Sequence, residues 1–240
     1  MTTLFISDLH LQADRPEIGD QLIDFLKTEA IAADALFILG DLFESWIGDD
    51  DPNEYHESIQ SALGSVVKTG TPVFFMHGNR DFMIGTKFSH QTGVQLLPDP
   101  FVLDMYGKDV LLSHGDAYCT DDVEYQAVRT MTRNPEWQAM MLQKSVAERR
   151  AFVAQARIDS EAHGQSISEE ISDVNVAAIE EAMEKHNVRL MVHGHTHRPK
   201  VHAQTVNGRT AKRIVLGDWH EHGSVLRWNQ RGPRLHTLAR

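Results

Sequence analysis

The sequence predicts an α/β protein: one domain over residues 1–240 with a mixed two-sheet core, interrupted by a helical insertion at about 121–164. Three observations lead there. In the N-terminal half, short apolar runs alternate with helical patterns, as in βαβ units of a parallel sheet. Toward the C-terminus, apolar runs flank Asn207-Gly208, the strongest short hairpin signal, which indicates antiparallel pairing. Between the two, the strand pattern gives way to helical periodicity.

In order, Thr2–Ile6 reads as a buried strand, Glu17–Ala33 as an amphipathic helix and Ala35–Leu39 as a second strand. Asn53–Lys68 is helical and stops before Gly70, and Val73–Met76 is a third strand. Phe101–Tyr106 and Val110–Ser113 flank Gly107-Lys108-Asp109 as a hairpin. Asp121–Arg133 and Pro135–Glu161 form the helical insertion, and Asn175–His186 is a further helix. Arg189–Val192, Val201–Val206, Thr210–Leu216, Ser224–Trp228 and Leu235–Leu238 complete the strands.

Five short blocks follow these strands: Asp8-Leu9-His10, Gly40-Asp41, Gly78-Asn79-Arg80-Asp81, His114-Gly115-Asp116 and Gly194-His195-Thr196-His197. Ligands at carboxyl ends of strands are where an open α/β sheet places a site. Asp8 and His10 lie two apart, so on an extended segment both side chains point the same way. His195 and His197 repeat the spacing, and Gly194 permits close backbone approach. Asp41 has two oxygens with which to bridge two ions, Asn79 offers an amide oxygen and His114 an imidazole. With no thiolate, the set favours Mn²⁺, Fe²⁺ or Zn²⁺. Two such ions are suited to cleaving phosphate esters.

Taken singly, a histidine at a strand end is more often a hydrogen-bonded structural residue. His56, His90, His163, His186, His202, His220 and His236 keep that reading as surface or loop residues, and His77, His193 and His222 stay open. Arg80 either pairs with Asp81 or clamps a phosphate with its planar fork. The clamp suits a pyrophosphate, whose leaving group departs as an anion without a general acid.

Composition narrows the class. The apolar fraction of 41% and charged fraction of 24% are those of a globular protein. Cys119 is the only cysteine, so no intrachain disulfide forms, which fits a reducing compartment. The N-terminus lacks a signal-peptide pattern, and no apolar run spans a bilayer, so a cytoplasmic location is expected. The net charge of -11 counts against nucleic acid as a partner. Arg129, Arg133, Lys144, Arg149, Arg150 and Arg157, opposed only by Glu136 and Glu148, mark the insertion as a basic interaction surface. Its apolar residues, among them Trp137, Met140, Met141, Phe152 and Val153, read either as helix core or as an adaptable groove for acyl chains. The basic residues among them suit an anionic membrane surface.

The order D-x-H, G-D, G-N, H and G-H-x-H resembles the calcineurin-like metallophosphoesterases. Gly78-Asn79-Arg80-Asp81, the run Asp41–Asp50, His193–Pro199 and Val215–Trp219 are similar to a branch acting on a lipid-linked nucleotide sugar. The resemblance implies an αββα sandwich with a helical cap over a lipid chamber. It also implies two divalent ions, Mn²⁺ foremost, one held by Asp8, His10, Asp41 and His197, the other by Asp41, Asn79, His114 and His195. Arg80 and His195 would act in catalysis, and Asn79, Arg80, Asp122, Tyr125, Ser160 and His195 would contact substrate. A monomer with peripheral contact to the cytoplasmic face of the inner membrane is expected. There are departures: Arg80 stands where many relatives carry histidine, Glu44 sits three residues past Asp41 in place of a nearer aspartate, and Gly164 and Ile167 replace polar and basic residues.

Overall fold

A computed structural model describes residues 2–166, 168 and 171–239; Ile167 lies outside them. The strands are β1 (Thr3–Ile6), β2 (Ala35–Leu39), β3 (Val73–Met76), β4 (Gln95–Leu97), β5 (Phe101–Asp104) and β6 (Asp109–Ser113), then β7 (Leu190–His193), β8 (Lys200–Val206), β9 (Arg209–Val215), β10 (Gly223–Asn229) and β11 (Gly232–Leu238). One sheet has six strands in the order β11-β10-β1-β2-β3-β4, and the other five in the order β5-β6-β7-β9-β8. β1 to β4 run parallel, β10 and β11 extend that sheet antiparallel, and β7 runs parallel to both β6 and β9.

Alternation of side chains along the strands explains the layering. Leu4 and Ile6 face outward onto the helices α1 (Pro16–Thr28) and α2 (Glu54–Lys68), in a core with Ile18, Leu22, Ile59 and Leu63. Phe5 points the other way, into an inter-sheet core with Phe37, Met76, Leu112, Val192, Ile214 and Trp228. On the far face of the second sheet, α7 (Val176–Lys185) buries Ile179 and Met183 against Leu111 and Met191. The result is the expected αββα sandwich. Each fully buried apolar side chain contributes about 1.5–3 kcal/mol, so strands wrapped on both faces are costly to edit.

Local signals set most boundaries. Asn53 caps α2 by accepting from the His56 N–H at 3.1 Å, and Pro16 opens α1. The helix expected over Glu17–Ala33 ends at Thr28, and a 3-10 turn, Ala30–Ala32, follows. The helix expected over Pro135–Glu161 is two, α5 (Pro135–Leu142) and α6 (Val146–Ser166). Ser145 breaks it: its hydroxyl accepts from Glu148 N–H, and the Glu148 carboxylate accepts back from Ser145 N–H at 2.9 Å, a capping box. With α4 (Val123–Thr132), these helices occupy the chain between β6 and α7. The sequence reading missed α3 (Thr86–Thr92) and β4, because seven and three residues are too few to show a period. No helix among the described residues is long and apolar enough to cross a membrane.

Candidate metal centre and adjoining cleft

The seven predicted ligands converge where β1, β2, β3, β6 and β7 end. His10 Nε2 lies 3.1 Å from His197 Nε2 and 3.8 Å from Asp41 Oδ2, and Asp8 Oδ1 lies 3.5 Å from His197 Nε2. On the other side, His114 Nε2 is 2.9 Å from Asn79 Oδ1 and 3.7 Å from Asp41 Oδ1. The His195 ring lies 5.0 Å from that of His114, and the His195 N–H donates to the Asp8 carboxylate. Asp41 thus turns one oxygen to each cluster. Asp8, His10 and Asp41 form one group able to hold an ion, and Asp41, His114 and His195 another.

The backbone is not the extended one expected for Asp8-Leu9-His10 and His195-Thr196-His197. Asp8, His10, Asp41, His195 and His197 all adopt positive φ, between 51° and 68°. The strands have already ended, and left-handed residues at alternate positions still return both side chains to one side. Each such residue costs about 1–2 kcal/mol, so the surrounding packing must hold them. Glycines make the room: a Cβ on Gly78 would strike the Asp41 side chain, and one on Gly194 would strike Asp8 and Ser7.

Ring tautomers test whether ions fit. Asp81 is fully buried and accepts from the backbone N–H groups of Leu42 at 2.7 Å and Gly78 at 2.9 Å, tying two ligand loops together. The Leu39 carbonyl can only accept, so His114 donates to it through Nδ1 at 2.9 Å. His10 likewise donates through Nδ1 to Glu44 Oε2 at 2.9 Å. Each neutral ring then aims its Nε2 lone pair into the cluster, that of His114 at the acceptor Asn79 Oδ1 and that of His10 at the His197 ring. Lone pairs facing one another at such distances need a cation or an extra proton between them. Burial opposes the charge on His114, but the Asp41, Asp116 and Asp8 carboxylates outweigh it and raise its pKa to about 9. Asp8 is held well below the carboxylate range: burial pushes its pKa up, but His197, His114 and His10 prevail. A hard, histidine- and carboxylate-rich donor set with fixed tautomers suits a pair of divalent ions.

The sequence profile of the calcineurin-like phosphoesterases matches residues 1–199. The chain belongs to that family. It is 48% identical, over the full length of both chains, to a UDP-2,3-diacylglucosamine hydrolase of Stenotrophomonas maltophilia (strain R551-3). A protein of the same name from Xanthomonas campestris pv. campestris (strain ATCC 33913) is 48% identical over the same extent. The fold is also that of a solved archaeal phosphodiesterase, with a TM-score of 0.52 at 11% identity, covering 99% of this chain and 100% of that one.

Beside the candidate metal centre of this phosphoesterase, α4, α5 and α6 enclose a cleft of about 460 Å³. Asn79, Arg80, Tyr125 and Ser160 line it, together with Phe82, Val128, Trp137, Met141 and Phe152. The apolar load of the insertion therefore faces a cavity as well as a core. The Tyr125 ring lies 5.7 Å from His195. Asp122 sits behind the wall, capping α4 through Tyr125 N–H and taking His163 Nε2 at 2.9 Å. Gly164 faces open space.

Arg80 pairs with Glu44, 3.6 Å away, and not with Asp81, which excludes the ion pair between neighbours considered from sequence. The basic residues of the insertion mostly turn inward. Arg129 and Arg133 reach Asp116, Arg149 and Arg150 reach Asp50 and Asp51, and Arg157 reaches Glu44. They rivet the helices to the sandwich, a use that a run of charge along a sequence does not distinguish from a free basic face.

Several participants were missed. Glu44 orients His10 while touching Arg80 and Arg157. Buried Asp116 accepts from Tyr125, Arg129 and Arg133, and its place two residues after His114 was the available signal. His220, read as a surface residue, stacks on His10 at 5.4 Å and groups with His10 and His197 as a third candidate cluster. Arg15 donates to His220 Nδ1 at 2.7 Å, which places the proton of neutral His220 on Nε2. His56, also read as a surface residue, is buried and stacked on Trp46. His163 belongs to the cleft. His77 and His193 bond the carbonyls of Ile84 and Gly194 and are structural.

Proposed function

We propose that this protein hydrolyses the pyrophosphate of UDP-2,3-diacylglucosamine, by attack of water on the uridine-side phosphorus. The products are UMP and 2,3-diacylglucosamine 1-phosphate, a step of lipid A synthesis. The observation that carries the reading is the seat of Arg80, between the clustered metal ligands and an apolar cleft large enough for acyl chains. The name shared by the full-length relatives points to the same substrate.

Asp8, His10, Asp41 and His197 would hold one divalent ion, and Asp41, Asn79, His114 and His195 the other, with Mn²⁺ as the native metal. When bound, such ions acidify water and neutralise phosphate charge. Arg80 clamps the diphosphate in its fork, and no protonated acid is needed for a phosphate leaving group. His195, beside Tyr125, directs a phosphoryl oxygen. Asn79, Tyr125 and Ser160 orient the sugar and its phosphate, and Asp122 braces Tyr125 and His163 from behind the wall. The helices α4 to α6 act as a cap on a single domain. Exposed Val123, Met140, Leu142 and Ile158 on those helices supply apolar contact for peripheral attachment to the inner membrane from the cytoplasm, where the chain works as a monomer.

The test is hydrolysis of UDP-2,3-diacylglucosamine in detergent with Mn²⁺ in ¹⁸O-labelled water. Label in UMP and none in the lipid phosphate is the expected result. No turnover, alongside cleavage of a soluble phosphodiester, would replace this reading with a soluble-nucleotide phosphodiesterase.

A further inference from the structure

A second chamber, of about 660 Å³, opens on the other side of Arg80 and Arg157. The two chambers share Ile47, Arg80, Val153, Arg157 and Ser160, so these residues form a partition. Their remaining walls differ. The first is largely apolar and touches Asn79 and Asp116, on the His114 side of the metal centre. The second carries Gln12, Ser45 and Asn53 and reaches Glu44, whose carboxylate bonds His10 at 2.9 Å. The chambers thus approach the clustered ligands from opposite ends.

We propose that the second chamber is the subsite for the nucleoside of the substrate. The inference rests on the pyrophosphatase reading above. A diphosphate gripped at the partition by Arg80 and Arg157 must send its two substituents in different directions. The acylated sugar takes the apolar cleft, and the polar chamber, which opens from the other side of the same partition, receives the nucleoside. Its charge balance fits a neutral guest. Asp51 and Arg150 pair with one another across the chamber, and Glu44 is satisfied by His10, Arg80 and Arg157. The excess positive charge lies at the partition, with Arg80 and Arg157, where the diphosphate is held; away from it the one arginine of the lining, Arg150, is already paired with Asp51. The Gln12 amide, Ser45 hydroxyl and Asn53 amide offer the donors and acceptors that ribose hydroxyls and a pyrimidine edge require. Ile47 and Val153 add an apolar strip for the base.

The experiment is calorimetric titration of UMP into the Mn²⁺-loaded full-length protein. The variants are Gln12→Leu with Ser45→Ala in the polar chamber and Phe152→Ala in the apolar cleft. Loss of neutral hydrogen bonds predicts about three- to ten-fold weaker UMP binding in the double variant. Its turnover of bis(4-nitrophenyl) phosphate, which carries no nucleoside, should be unchanged, showing that fold and metal centre are intact. Phe152→Ala should bind UMP normally and raise KM for the lipid substrate. UMP affinity unchanged in the double variant overturns the assignment. The titration uses no lipid, so the two readings fail separately: wild-type protein inert toward the lipid, with UMP binding weakened in the double variant, would sink the lipid substrate and support the chamber.

Discussion

The Nε2 atoms of His10 and His197 meet at 3.1 Å although 187 positions separate the residues in sequence. Glu44 occupies the other nitrogen of His10, so His10 turns a lone pair toward His197, and a proton or a cation must sit between the two rings. Divalent ions should therefore stabilise the protein strongly. Free metal at 100 times its dissociation constant adds about 2.7 kcal/mol. For a chain of this size that is a rise in Tm of about 5–10 °C. Thermal unfolding with chelator and with Mn²⁺ measures it. Asp41→Asn should abolish most of the shift; a full shift in that variant would contradict the proposed role of Asp41 as a ligand shared by both clusters.

Arg80 stands between Glu44 and the cleft. Removing a preorganised charged donor from a phosphoryl-transfer site costs about 10²–10³ in rate. Arg80→Ala should lose that in kcat while retaining Mn²⁺ affinity, and Arg80→Lys should recover only part of it, because an ammonium lacks the planar fork. Steady-state kinetics and metal titration separate the two effects. A parallel loss of metal binding would mean that Arg80 serves the centre structurally.

Arg149 is buried at 2% exposure, donates to the Ile47 carbonyl at 2.6 Å and pairs with Asp50. Arg149→Met would leave that carbonyl unsatisfied and unpin α6 from the sandwich. A loss of about 1–3 kcal/mol in denaturant unfolding is expected. Because the cleft lies under α6, KM for the acylated substrate should rise more than kcat falls. Unchanged stability would show that the rivet is dispensable.

His56 is buried against Trp46, and burial lowers its pKa from 6.5 to about 4. The folded state then binds fewer protons than the unfolded chain between those values. The contribution is complete above pH 6.5 and is lost as pH falls toward 4, amounting to about 1–3 kcal/mol. Unfolding free energies at pH 7 and pH 5 should differ less in His56→Phe than in the wild type. An identical slope in the variant would assign the pH dependence elsewhere.

Much of this was legible in sequence for particular reasons. Asp8, His10, His195 and His197 announced themselves as candidate ligands because pairs two apart are local, and Gly40, Gly78 and Gly194 mark crowded turns. The strands β2 and β3 were placed to the residue because apolar runs bounded by turn signals are local too. What escaped was long-range. That Glu44 would meet Arg157, or His220 lie on His10, depends on packing that no window of sequence contains. Nor did spacing reveal the left-handed turns, because φ there is set by packing around the strand ends and not by the distance between ligands in sequence.

Those turns also bear on how the site can be altered. Aspartate, asparagine and histidine are the side-chain-bearing residues that occupy positive φ most readily. Backbone shape and coordination chemistry thus select the same short alphabet at Asp8, His10, Asp41, His195 and His197. An Asp→Asn or His→Asn exchange removes a charge or an imidazole and leaves the turn content, whereas valine or isoleucine would disturb both at once.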